Sequence, residues 1–183
     1  MKKSLLFSVL LLSACAKDDP EAQLPAETRN GANTFGCLVN GKPWTPQGND
    51  GTANYTVSYD RVSTGETLDI RAYRIYESGT NDFQNIVLFA TQLNGAGTYS
   101  LASSQHTRAS FNEQSKSCYW SSRDSTTTYR RGALTITRLD MQAGIVSGTF
   151  WLTLYKPGCD SIRVTNGRFD KKLYPNHPSL FSP

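Results

Sequence analysis

A two-residue alternation of apolar and polar side chains runs through most of this chain and restricts what it can fold into. In Glu66–Tyr76, Leu68, Ile70 and Ala72 share one face while Asp69, Arg71 and Tyr73 share the other. In Gly144–Tyr155, Val146, Phe150, Leu152 and Leu154 alternate with Ser147, Thr149, Trp151 and Thr153, and Gly148 stands on the apolar face. A strand with one buried side produces this period, whereas a helix repeats its faces every 3.6 residues, and no segment carries that longer period. Between Ile86 and Ala90 both faces are apolar, which predicts a central strand covered on both sides.

Further strands are expected at Phe35–Asn40, Tyr55–Asp60, Tyr119–Ser121, Ala133–Leu139 and Ile162–Thr165, where threonine and aromatic residues recur. Asn-Gly stands at 40–41, 94–95 and 166–167, each pair beside an expected strand. Both residues tolerate positive φ, so these pairs predict tight hairpin turns. The fold class is therefore all-β, an antiparallel meander that forms a sandwich or an up-and-down barrel. Alternation serves both closures equally.

The N-terminus has a different character. Lys2 and Lys3 precede an apolar run from Leu5 to Leu12, and Ser13-Ala14-Cys15 follows, the order of a signal peptide over residues 1–14. The run is well short of the roughly 20 apolar residues that span a bilayer. Leu11–Cys15 resembles the bacterial lipobox, which implies that Cys15 is lipidated and becomes the mature N-terminus, with the membrane as partner through that anchor. Ala16 stands where an inner-membrane retention aspartate is absent, so the outer membrane is the expected location. Lys17, Asp18 and Asp19 look like the export signal of Bacteroidota surface lipoproteins. Residues 15–33, with few large apolar side chains, are read as the lipidated cysteine and a flexible tether. Residues 34–173 form a single β domain, and 174–183 form a Pro-rich tail.

Charge and cysteines narrow the function classes. Without Lys2 and Lys3 the chain has 17 basic and 15 acidic residues, a balance that gives nucleic-acid binding no support. With Cys15 lipidated, Cys37, Cys118 and Cys159 remain for an oxidising compartment and form at most one internal bridge. A meander places Cys118 and Cys159 at the same end and favours that pair, whereas barrel closure favours Cys37 with Cys159.

No chemistry-bearing constellation stands out. Gly36–Lys42 fits GxxxxGK, but Pro43 occupies the position where a phosphate loop needs a Mg²⁺-binding hydroxyl. Only His106 and His177 are available as catalytic bases, and no GxSxG elbow occurs. The acids Asp60, Glu66, Asp69, Asp82, Asp124 and Asp140 sit mostly at strand ends and turns, where they bond neighbouring backbone. The cysteines and histidines are too scattered for zinc, so neither a metal nor a cofactor is expected. What remains is aromatic: Trp120 and Trp151, with Arg130, are the candidate ligand contacts.

Thr34–Trp44 (TFGCLVNGKPW), LNGAGTYSL, GALTITRLD and GIVSGTFWLTLYKPGCDSIRVTNGRFDKKL occur in that order. Together they resemble a domain-of-unknown-function family of Bacteroidota envelope lipoproteins, over roughly Thr34 to Leu173. The resemblance implies a tethered all-β envelope domain and carries no catalytic residues. The expected function is a non-enzymatic binding module for a glycan or protein partner; the alternatives are a structural envelope component or an envelope hydrolase.

Overall fold

In the computed structural model the described residues are 19–173, apart from 63–64, 77–81 and 103–104. Inward-facing side chains of the alternating segments meet from two sides, and the strands accordingly fall into two antiparallel sheets packed as a sandwich. One sheet orders β2 (Lys42–Trp44), β1 (Thr34–Val39), β11 (Asp160–Lys172), β10 (Ile145–Lys156), β9 (Tyr129–Asp140) and β6 (Gly97–Ser100). The other orders β3 (Tyr55–Val62), β4 (Gly65–Ile75), β5 (Phe83–Leu93), β7 (Thr107–Glu113) and β8 (Cys118–Ser121). Neither sheet closes on itself, so the barrel alternative falls away. β3–β4–β5 and β9–β10–β11 are meanders, whereas β6 leaves the five-stranded sheet to pair with β9 and β7 returns.

Between the sheets lie Leu68, Ile70, Ile86, Leu88 and Phe111 from one side and Leu134, Phe150, Leu152, Val164 and Phe169 from the other, all 3% exposed or less. Phe35 on β1 joins them, with ring centroids 5.1 Å from Phe150 and 5.3 Å from Tyr55. The two-period pattern thus builds the core directly, each strand giving alternate residues to one shared apolar layer.

Three local expectations change, and one Asn-Gly turn stands as expected. β5 is central in its sheet, between β4 and β7, yet over Ile86–Ala90 only Ile86, Leu88 and Ala90 are buried; Val87 and Phe89 are half-buried on the outer face. Asn40-Gly41, with φ of 49° and 79°, makes the β1–β2 hairpin. Asn94-Gly95 instead links β5 to β6, strands of different sheets. Asn166-Gly167 makes no turn and lies inside β11, with Asn166 at φ 51°. The register against β10 shifts there between Phe150 and Leu152, and against β1 between Gly36 and Leu38, so this is a bulge flanked on both sides. A Cβ on Gly167 would stand 2.5 Å from the Phe150 carbonyl oxygen, so the close approach requires glycine.

The stretch read as a flexible tether is held against the domain from Asp19 onward. Asp19 accepts a hydrogen bond from the Glu21 amide at the start of a 3₁₀ turn over Pro20–Gln23, and Leu24 is buried. The main anchor is Asp170 on β11, 1% exposed. Its carboxylate accepts from the amides of Asn30, Gly31 and Ala32 and from the hydroxyls of Thr28 and Ser147, at 2.7–3.0 Å. Successive amides around one carboxylate form an anion nest filled from within the chain.

Cys118 at the start of β8 and Cys159 in the β10–β11 turn are joined in a disulfide with Cα atoms 5.6 Å apart. They do not meet as neighbours within one meander, since β8 and β10 lie in different sheets; the bridge ties one sheet to the other. Cys37 is buried on β1 as a free thiol, and burial pushes its pKa up.

Candidate binding face

β10 turns Thr149, Trp151, Thr153 and Tyr155 outward, opposite to Phe150, Leu152 and Leu154 in the core. Residues directly opposite across an antiparallel pair share a face. The register therefore sets Thr149 between Thr135 and Arg168, Thr153 between Arg131 and Arg163, and Tyr155 between Tyr129 and Ser161. Trp151 faces Ala133 on β9 and the bulge on β11, so a small side chain and a local bend leave room around the indole. Trp151 is 47%, Tyr129 44% and Tyr155 38% exposed. The three form an aromatic strip on the outside of the six-stranded sheet.

Beside Trp151 runs an open groove of about 600 Å³, lined by Thr135, Thr149, Thr153, Arg163, Thr165, Asn166 and Arg168. The docked N-terminal segment contributes Glu21 and Glu27 to its lining. Glu21 is fixed there: Arg168 Nη2 donates to its Oε1 at 2.7 Å and Asn166 Nδ2 donates to its Oε2 at 2.5 Å. Arg163 has no carboxylate partner among the described residues, and Arg131 stands 5.8 Å from the Tyr129 ring centroid. The face thus offers flat aromatic surface, hydroxyls and guanidinium donors together.

Of the three expected ligand contacts, only Trp151 lies on this face. Trp120 is 2% exposed; its Nε1 donates to the Asp160 carbonyl at 2.9 Å and its ring packs near Phe111. The signal that separates them is parity: Trp120 shares its strand face with Cys118, and Tyr119 between them is the exposed residue, at 47%. Arg130 lines a different cleft, where its Nη1 donates to the Ser122 carbonyl at 2.5 Å. Cys15, Lys17 and Asp18 lie outside the described residues, and Asp19 caps the 3₁₀ turn.

Four of the acids weighed for catalysis, Glu66, Asp69, Asp124 and Asp140, have structural partners. Glu66 pairs with Arg61 and Asp69 with Arg71. Asp124 takes the Thr126 amide and the Lys156 ammonium, and Asp140 takes Arg138 and the Ala143 amide. These bonds hold the carboxyls of Asp124 and Asp140 below the usual range, opposite to the shift a general acid needs. Among the described residues no three His, Cys, Asp or Glu side chains are grouped to hold a metal, and no helix is long and apolar enough to cross a membrane.

A family model for a domain of unknown function, DUF6252, matches residues 56–171. The chain belongs to the DUF6252 family. The DUF6252 match takes in Trp151, Tyr155 and both bridged cysteines, and leaves β1, β2 and the docked N-terminal segment outside it. No curated protein and no solved structure matches the chain.

Proposed function

We propose that this DUF6252 protein is an exported lipoprotein, anchored in the outer membrane through lipid on Cys15 and displayed at the cell surface, whose sandwich is a non-enzymatic glycan-binding module. The observation that carries the binding reading is Trp151, nearly half exposed in a groove of about 600 Å³ among outward threonines and guanidinium donors. A large indole on an open sheet face adds nothing to the core, and it suits the apolar face of a sugar ring while hydroxyl and arginine groups meet the ring's polar rim. Tyr129 and Tyr155 extend the platform along the strand direction, which fits a chain of sugars better than a single one. The signal peptide, the lipobox-like Leu11–Cys15 and the acidic Lys17-Asp18-Asp19 support the location.

The test is binding of the intact chain to a panel of envelope and dietary polysaccharides, read by affinity electrophoresis and by tryptophan fluorescence. Trp151→Ala is expected to weaken a retained polysaccharide at least tenfold, about 1.4 kcal/mol, with the unfolding midpoint unchanged. Retention that survives Trp151→Ala, or no retention of any polysaccharide, overturns the assignment.

A further inference from the structure

A second cleft, of about 390 Å³, opens where Leu101, Ala102 and Gln105 meet the start of β7, the turn after β8 and the start of β9. Arg108, Arg123 and Arg130 line it together with Gln105, Thr107 and Ser122, and no carboxylate among the described residues does. The nearby acids are engaged elsewhere, Asp69 by Arg71 at 2.7 Å and Asp124 by Lys156 at 3.2 Å. Three guanidinium groups sharing one cleft without a counter-charge repel one another, and an anion placed among them removes that repulsion.

Arg130 is positioned in advance by its bond to the Ser122 carbonyl, while Arg108, 5.6 Å from the Phe89 ring centroid, stands between this cleft and the neighbouring groove that Phe89 and Asp69 line. Ser122 and Thr107 are 7% and 4% exposed, so the wall beneath the arginines is fixed in the sandwich. The Ser122 hydroxyl accepts from the Ala109 amide at 3.0 Å, which leaves its own proton to donate.

The geometry points to this cleft as a binding site for a tetrahedral oxyanion, the phosphate or sulfate group of a small ligand. Guanidinium forks pair with oxyanion edges two bonds at a time, and three forks from different elements surround a tetrahedral group better than a planar carboxylate. The volume lies in the range of small-molecule sites, so the cleft has room for the group and the residue that bears it. This assignment is independent of the Trp151 platform, whose lining residues it does not share.

The intact chain, purified in detergent, is titrated calorimetrically at low ionic strength with inorganic phosphate, inorganic sulfate, glucose 6-phosphate and glycerol 3-phosphate. Saturable binding of phosphate or sulfate is expected. Arg108→Gln with Arg123→Gln should weaken it at least tenfold, while Arg163→Gln in the Trp151 groove, and Trp151→Ala, leave it unchanged. Arg130 is kept because it holds Ser122. Tighter binding of glucose 6-phosphate assigns the group to a sugar, and tighter binding of glycerol 3-phosphate assigns it to a lipid headgroup. If the double variant loses its fold, the arginine Nε–H resonances of the unaltered protein replace it as readout, and shifts at Arg108 and Arg123 are expected on adding phosphate. No saturable binding, or equal weakening by Arg163→Gln, overturns the site.

Discussion

Asp170 is 1% exposed and nevertheless charged. Burial pushes its carboxyl up, but the Ala32 amide, the Ser147 and Thr28 hydroxyls and the Gly31 amide more than offset this and bring the pKa down to about 2 from an ordinary 3.8. A depressed folded-state pKa means that the stabilisation is whole above about pH 4 and is lost as pH falls toward 2, amounting to about 2 kcal/mol. Unfolding by urea should therefore shift to lower midpoints across that interval. Asp170→Asn should lower the midpoint at pH 7 and remove this contribution to the acid dependence, because its amide group faces donors with donors. An unaltered slope between pH 4 and 2 in the variant would count against the clamp. Nothing in Arg168-Phe169-Asp170-Lys171 marks this role, since all the donors but Ser147 lie about 140 residues earlier in the chain. Trp151 was legible because the alternation from Gly148 to Tyr155 set its side, whereas β8 has only four residues and gave Trp120 too short a frame.

At the level of elements, strands with long alternation were legible, as were β1, β3 and β8 through their aromatic and β-branched residues, whereas β2, β6 and β7 were not. β4, β9 and β10 follow from their patterns, while β2 contains Pro43 and β6 spans only Gly97–Ser100, too short to establish a period. β7 does alternate, with Thr107, Ala109 and Phe111 inward, but threonine and alanine give a weak apolar signal beside Arg108 and Asn112. Asn166-Gly167 has the residues of a hairpin turn and forms a bulge, because β11 stays paired with β1 and β10 before and after it. The disulfide acts at this scale too. It joins the edge strand β8 to the β10–β11 turn across the sandwich, closing a loop with a sequence separation of 41 residues, for which the chain-entropy model gives about 4 kcal/mol. Reduction, or Cys118→Ser with Cys159→Ser, should lower the urea midpoint by that order while the purified protein still unfolds in one step. Peptide mapping without reductant should return Cys118 and Cys159 as one linked pair and Cys37 as the free thiol. Recovery of Cys37 in a bridge would refute the pairing.

For the whole molecule, the sandwich is reached through two separate surfaces, the aromatic strip on the six-stranded sheet and the arginine cleft beside β8, and both are carried on a body pinned at its N-terminal segment. Asp19 lies four positions after Cys15, so at full extension the proposed lipid anchor lies within about 14 Å of the docked segment. Glu21 and Glu27 lie on that segment and line the Trp151 groove, so the groove would be held close to the membrane on this reading. Cys15→Ala should then release the protein from the membrane fraction or stall its processing, since no described helix can span a bilayer. Surface display calls for a finer experiment because Asp19 has two tasks: it belongs to the acidic stretch Lys17-Asp18-Asp19, and its carboxylate accepts the Glu21 amide at 3.0 Å. Lys17→Ala and Asp18→Ala combined with Asp19→Asn remove the acidic charge while an amide oxygen still accepts that bond. Such a variant should remain lipidated, keep its unfolding midpoint and become protected from protease added to intact cells, whereas Asp19→Asn alone should keep the midpoint and show whether one acid suffices. Undiminished cleavage of the combined variant on intact cells would sink the export reading and leave the lipid anchor standing.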